Sequence, residues 1–172
     1  MAELQKSTIV GTPNLNNVYI TEMDMWPLET QEFNRIYTFY DNLRAGKFTT
    51  TKCKKCGHVA FPPQVICPKC WSEDLEWVEL PQKAKVVAVT ETLAGAPAGF
   101  PVPLIIAWLT FDHPALKHLI GRIINCKEGE VKEGDEVKFV VFDVPSHPMD
   151  VKKETKICDR VFYAFEPVKK SV

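Results

Sequence analysis

The chain has 172 residues, 45% of them apolar, and its 21 basic and 22 acidic side chains give a formal net charge of −1. That length admits one medium domain with small attachments, and that apolar fraction excludes a largely disordered polymer. With an isoelectric point near 6.4, the balance argues against a surface built throughout for nucleic acid.

The opening Met1-Ala2-Glu3-Leu4-Gln5-Lys6 lacks the basic start and apolar stretch of a signal peptide. The longest near-apolar run, Pro101 to Phe111, is too short and too rich in proline to cross a bilayer. The expectation is a cytoplasmic protein without a membrane segment, in a reducing compartment that keeps thiols available for metal. Residues 1–29 read as an N-terminal extension, broken by Gly11, Pro13 and Pro27, with no regular core element. Met23, Met25 and Trp26 make an apolar cluster there that is costly to leave in water. The extension is either an arm that orders against a partner or a mobile tail.

Residues 30–47 hold a helix. Thr30 suits the N-cap, Glu32 the first turn, and Gly46 follows the expected end at Ala45. Phe33, Ile36, Tyr37, Tyr40 and Leu43 recur at helical spacing and form one apolar face. That face packs on the rest of the chain or docks on another protein; amphipathic helices usually face their own core.

Residues 48–81 carry the chemistry. Cys53-Lys54-Lys55-Cys56 and Cys67-Pro68-Lys69-Cys70 are two Cys-x-x-Cys knuckles with ten residues between them. Two residues between cysteines let one tight turn aim both sulfurs at one ion, and two such turns complete a tetrahedral site. Gly57 follows the first pair, where a knuckle often needs positive φ. The spacing predicts a zinc ribbon, with Cys53, Cys56, Cys67 and Cys70 as ligands of a structural Zn2+. Four protein ligands leave no open position for Lewis-acid catalysis. Two disulfides or a redox dithiol are the competing readings, and they explain the pattern less well. Phe48–Lys52, Val59–Pro62 and Leu75–Leu80 are the expected ribbon strands. The ribbon is locally basic: Lys52, Lys54, Lys55 and Lys69 occur with no acidic residue between 52 and 69. Such a run is usually a solvated surface, but it can also meet phosphates of a nucleic acid or of a cofactor such as coenzyme A.

Residues 82–168 change to strand patterning. Ala84–Thr92, Leu104–Phe111, Leu119–Ile124, Val137–Phe142 and Val161–Phe165 are five runs rich in β-branched and aromatic residues. With no long helix between them they predict a small closed barrel of the OB type, and hence a mainly β protein. A flexible loop, 94–101, offers Phe100 as an exposed aromatic, and Pro145–Asp159 reads as a long polar loop, functional or mobile. Cys126 and Cys158 read as core or incidental cysteines, and His58, His113, His118 and His147 are scattered. There is no phosphate-binding glycine loop, nucleophile elbow or His-Glu-x-x-His helix. Alone, the chain does not read as an enzyme, and no catalytic residue is assigned.

The order of parts resembles a known family: acyl-CoA-associated OB-fold proteins with an N-terminal rubredoxin-like zinc ribbon. The resemblance covers about residues 31–167. It rests on Phe39 to Lys47, Cys53-Lys54-Lys55-Cys56-Gly57, Phe61-Pro62-Pro63, Cys67-Pro68-Lys69-Cys70 and Leu75-Glu76-Trp77. It continues through Val86–Thr90, Phe100-Pro101-Val102-Pro103, Gly121-Arg122-Ile123, the Gly134-to-Val137 turn and Phe162-Tyr163-Ala164-Phe165. It implies an accessory subunit of a thiolase-fold enzyme. The barrel would help hold a coenzyme A ester, while the partner supplies the catalytic cysteine and histidines. Lys54, Lys55 and Lys69 are then candidate contacts for the coenzyme A phosphates. The plan is also similar to small subunits of benzoylsuccinyl-CoA thiolases, which makes an acyl-CoA of toluene degradation a substrate expectation. The extension of about thirty residues and the long 145–159 loop depart from the family pattern.

Two readings of other classes stand beside this one. A nucleic-acid-binding module is compatible with a ribbon and an OB barrel, but the net charge and the lack of a clear basic-aromatic stripe oppose it. A free-standing enzyme using Cys126 or Cys158 predicts thiol-dependent turnover by the purified chain.

Overall fold

The computed structural model describes residues 7–9, 35–95, 102–143, 148–151, 154–157 and 161–168. In chain order the elements are β1 (Ser7–Ile9), α1 (Tyr37–Arg44), β2 (Thr49–Cys53), β3 (Val59–Ala60), β4 (Leu75–Glu79) and β5 (Lys83–Thr92). There follow β6 (Leu104–Thr110), β7 (His118–Ile123), β8 (Glu136–Asp143), β9 (Pro148–Val151), β10 (Glu154–Ile157) and β11 (Val161–Pro167). The chain divides into two compact units, residues 46–140 with 163–172, and residues 1–45 with 141–162.

The five expected strands close a barrel in the order β11-β7-β6-β5-β8. Alternation explains why: in β5, Ala84 and Val86 are buried while Lys83 and Lys85 are exposed. A bulge between Val86 and Ala88 then resets the phase, so that Ala88 and Thr90 face outward. Leu109 and Val137 are completely buried, with Ala107, Ile123, Phe139 and Phe165 beside them. Gly121 pairs with Ala107 on the inner face of β7. A Cβ there would lie 2.8 Å from Phe165 Cδ2 and 3.2 Å from Leu109 Cδ1, so the Phe165 ring occupies the volume a side chain would need.

The ribbon is a three-stranded sheet in the order β3-β2-β4, antiparallel throughout. It is joined to the barrel by aromatic packing. Phe48, at the mouth of the ribbon, stacks on Phe139 at 4.9 Å between centroids and meets Tyr163 at 5.4 Å and Phe165 edge-on at 6.2 Å. Phe61, from the ribbon loop, reaches Phe48 at 5.4 Å and Tyr163 at 6.4 Å. A backbone bond from Leu80 N–H to the Phe48 carbonyl, 2.8 Å, closes the ribbon beside this cluster.

In the other unit, β1 pairs parallel with β9, and β9 antiparallel with β10. This corrects two expectations. The extension contains a strand, and the polar 145–159 loop contains two. These segments are three or four residues long and largely polar (Ser7, Thr8, Asp150, Glu154, Thr155, Lys156), without the apolar run that marks a core strand. The helix is also shorter than expected: Arg35 and Ile36 form a turn and the helix begins at Tyr37. Its buried residues are Phe39, Tyr40 and Leu43, so the buried face is rotated from the one expected, and Tyr37 lies at its edge. Thr30, Glu32 and Phe33, the Met23–Trp26 cluster, Phe100, His147 and Cys158 lie outside the described residues.

Candidate metal centre

The structure brings the sulfurs of Cys53, Cys56, Cys67 and Cys70 within 4.8 Å of one another. Each knuckle is built by the same pair of backbone bonds. Cys53 N–H donates to the His58 carbonyl and Gly57 N–H to the Cys53 carbonyl, both at 2.8 Å. In the second knuckle Cys67 N–H donates to the Ser72 carbonyl and Trp71 N–H to the Cys67 carbonyl, both at 2.9 Å. Trp71 therefore occupies the place that Gly57 has in the first knuckle, and both are left-handed, with φ of 59° and 72°. Sequence reasoning anticipated this backbone requirement at Gly57 and missed it at Trp71, because tryptophan carries no signal for positive φ. Its indole is 79% exposed.

The sheet beneath is held by threonines that the sequence reading did not single out. Thr49, Thr50 and Thr51 are buried polar residues. Thr50 donates to the Ala60 carbonyl. Thr51 Oγ1 accepts from Gln64 N–H at 2.9 Å and lies 3.2 Å from the Gln64 carbonyl. These bonds tie the loop after β3 to β2 and fix where the second knuckle begins.

Cys53 and Cys70 approach to 3.5 Å between sulfurs, as do Cys56 and Cys67. Both distances far exceed the ~2.05 Å of a disulfide. They fit tetrahedral thiolates about zinc, whose Zn–S bonds of ~2.3 Å separate sulfurs by ~3.8 Å. Protonation within the cluster is uneven. Burial raises the Cys67 thiol, but backbone N–H groups at Cys70 and Lys69 and the Cys56 thiol outweigh it and bring it down to about 7. At Cys70 the Ser72 backbone lowers the thiol, yet burial and the three neighbouring sulfurs carry it up to about 12. Four thiolates at this spacing need a cation to coexist. Zn2+ held by these cysteines would supply that charge and stabilise the fold.

The predicted phosphate contacts stand on the two knuckles. Lys54, Lys55 and Lys69 are exposed. Lys54 is ion-paired, its Nζ 3.0 Å from Asp74 Oδ1, a hydrogen bond that raises its pKa. Lys52 is likewise 3.3 Å from Glu76. The acid-free run in sequence is thus answered across the sheet by β4 and the turn before it. Cys126 is half-buried, and burial followed by Glu130 and Glu91 pushes its thiol up. His113 Nδ1 accepts from Ala115 N–H at 3.3 Å and holds a turn.

Two family models match in succession. The first, the ChsH2 rubredoxin-like zinc ribbon domain, covers residues 41–76, and the second, the ChsH2 C-terminal OB-fold domain, covers residues 77–143. The chain belongs to the ChsH2 family, also called DUF35. It is 35% identical over 92 residues to a DUF35 domain-containing scaffold protein of Methanocaldococcus jannaschii, covering 52% of this chain and 63% of that one. It is 30% identical over 90 residues to the benzoylsuccinyl-CoA thiolase subunit BbsA of Thauera aromatica, covering 52% of this chain and 60% of that one. The match thus spans somewhat less than two thirds of these curated relatives. A solved Ltp2–ChsH2(DUF35) aldolase contains a chain of the same fold, with a TM-score of 0.55 at 17% identity over 74% of this chain and 94% of that one.

Proposed function

We propose that this ChsH2-family chain is the non-catalytic scaffold subunit of a cytoplasmic, thiolase-type complex that acts on a β-ketoacyl-CoA. The catalytic partner supplies the reacting cysteine and histidines. The ribbon and barrel bind that partner and border the acyl-CoA entrance, and the zinc holds the ribbon in shape. The observation that carries this reading is the joint at Phe48, which places ribbon and barrel in one compact unit. A body of that kind presents two different surfaces at a fixed spacing, which a scaffold requires. The relatives named as scaffold proteins and as thiolase subunits support the same reading.

Affinity purification of the chain from its source cells tests it, with partners identified by mass spectrometry and the complex assayed for thiolysis of acyl-CoA esters. Benzoylsuccinyl-CoA, named for the Thauera relative, is the first ester to try. A stoichiometric thiolase-fold partner, with turnover by the heteromer and none by the chain alone, is the expected result. Recovery instead with nucleic acid that binds in a steeply salt-dependent way would overturn it. Within this reading Lys55 and Lys69 contact the coenzyme A phosphates, with Lys54 a weaker contributor because of Asp74. Replacing all three by alanine then raises the KM for the coenzyme A substrate; an unchanged KM removes the assignment.

A further inference from the structure

The four cysteines of the metal centre meet solvent unequally. Cys53 and Cys67 are buried, at 1% and 2% exposure, Cys70 is half-buried and Cys56 is exposed. The residues that follow the two knuckles differ in the same sense. Beside Cys56, Gly57 carries no side chain, and a Cβ built on it would meet nothing within 4 Å. Beside Cys70, the equivalent left-handed position carries the indole of Trp71. The centre therefore has an open side at the first knuckle, and Cys56 forms it. Next to Cys56 lies a buried thiol: its sulfur is 3.5 Å from that of Cys67, the first cysteine of the other knuckle. Cys53 and Cys70 meet across the knuckles at the same distance.

We propose that Cys56 is the peroxide-reactive ligand of this centre, and that Cys67 captures the oxidised sulfur in a disulfide across the two knuckles. The inference rests on the ligand set described above and not on the scaffold reading. A metal-held cysteine is kept as thiolate, the nucleophilic form, and reaction then follows exposure. The Cys56 sulfur attacks one oxygen of hydrogen peroxide. An S–O bond forms, the O–O bond breaks and hydroxide leaves, so the sulfur gives two electrons to the peroxide and becomes a sulfenic acid. The Cys67 thiolate attacks that sulfur; an S–S bond forms and the S–O bond breaks with loss of a second hydroxide. Solvent protonates both hydroxides to water. Only Cys53 and Cys70 are left as thiolates, too few to close a tetrahedral site, so oxidation at Cys56 and retention of zinc exclude each other. A dithiol reductant restores the lost pair by exchange.

The test uses the full, zinc-loaded chain. Equimolar hydrogen peroxide is added, remaining thiols are alkylated, and released zinc is read with a chromogenic chelator. Trypsin cuts both knuckles, after Lys55 and Lys69, which leaves Cys56 and Cys67 in one peptide, 56–69, and Cys126 and Cys158 in others. The expected result is peptide 56–69 closed on itself, lighter by two hydrogens, rising in step with released zinc and reversed by dithiothreitol with added zinc. Limiting N-ethylmaleimide should label Cys56 over Cys53 and Cys67 by about tenfold or more. Cys56→His, which keeps a fourth ligand without the oxidisable sulfur, should retain zinc and slow its peroxide-driven loss by about tenfold. A first disulfide within one knuckle would overturn the inference. So would oxidation of Cys126 or Cys158 with zinc kept, equal labelling of the four ligands, or unchanged zinc loss in metal-loaded Cys56→His. Should that variant fail to take up zinc, the wild-type peptide still decides.

Discussion

The ribbon and the barrel share one compact unit but are held together by opposite means. The barrel interior is apolar: Leu109, Val137, Ala107 and Phe165 are buried and need nothing from outside the chain. The ribbon's buried residues include three threonines and two of its four cysteines. Its polar groups are satisfied by hydrogen bonds, and its sulfurs are crowded enough to need a cation. The lesson is that adjacent modules in one body can depend on different thermodynamic sources. Perturbing each source should therefore separate them.

Metal removal is the largest perturbation. A structural zinc of this kind contributes apparent folding free energy of about 10 kcal/mol or more. A strong chelator at neutral pH is expected to abolish hydrogen-exchange protection in β2 and β4 while β6 and β7 keep theirs. Loss of protection in all four strands together would show that ribbon and barrel form one cooperative unit and would break the contrast.

The joint comes next. Phe48 is buried among Phe61, Phe139, Tyr163 and Phe165, so Phe48→Ala should cost about 3–5 kcal/mol in denaturant unfolding. A cost below about 1 kcal/mol would mean that the cluster does not couple the modules. Tyr163, in the same cluster, adds a pH signature. Burial pushes its hydroxyl up to about 12, from an ordinary value of 10.0. The folded state therefore keeps the proton that the unfolded chain loses first. This contribution is intact below pH 10 and is lost between pH 10 and 12, amounting to about 3 kcal/mol over the two-unit window. Tyr163→Phe should flatten stability across that window; an unchanged alkaline slope would argue that the ring is solvated.

The two modules also differed in what could be read beforehand. The cysteine spacing is local, so the gathering of the four sulfurs into one cluster was legible. The barrel strands were legible from runs of β-branched and aromatic residues, with ends displaced by one or two residues. The Phe48 joint was not, because it depends on which rings meet across a sequence distance of about a hundred residues. Neither was the answer to the basic run, since Asp74 and Glu76 lie outside it and face Lys54 and Lys52 only once β2 and β4 pair. The strands β1, β9 and β10 lack an apolar run and are defined by backbone pairing. Which residues form the outward row of Ala88 and Trp108 was not legible, since a bulge in β5 sets the side that Ala88 faces.

A moderate effect belongs to the barrel alone. Gly121→Ala places a methyl group 2.8 Å from Phe165 in a core with no free volume at that point. Overpacking of this size typically costs about 1–3 kcal/mol. The expected outcome is lower stability with unchanged zinc content, since the ribbon's sulfurs are distant in source as well as in sequence. Reduced zinc content in a folded variant would show that strain in the barrel reaches the knuckles.

The smallest effect belongs to the ribbon and has the opposite sign. Trp71 holds a left-handed backbone where the equivalent position in the first knuckle is Gly57. A non-glycine residue there costs roughly 1–2 kcal/mol, partly offset by the extra freedom glycine has in the unfolded chain. Because the indole is 79% exposed, its removal gives up little burial. Trp71→Gly should therefore stabilise the ribbon by about 1 kcal/mol or less. Since ribbon folding and metal binding are one equilibrium, the gain appears as up to about fivefold tighter zinc in a chelator competition. Weaker zinc binding would mean that the indole contributes to the fold in a way its exposure hides. Tighter zinc with impaired assembly of the complex would mean that the strained residue serves contact and not the knuckle.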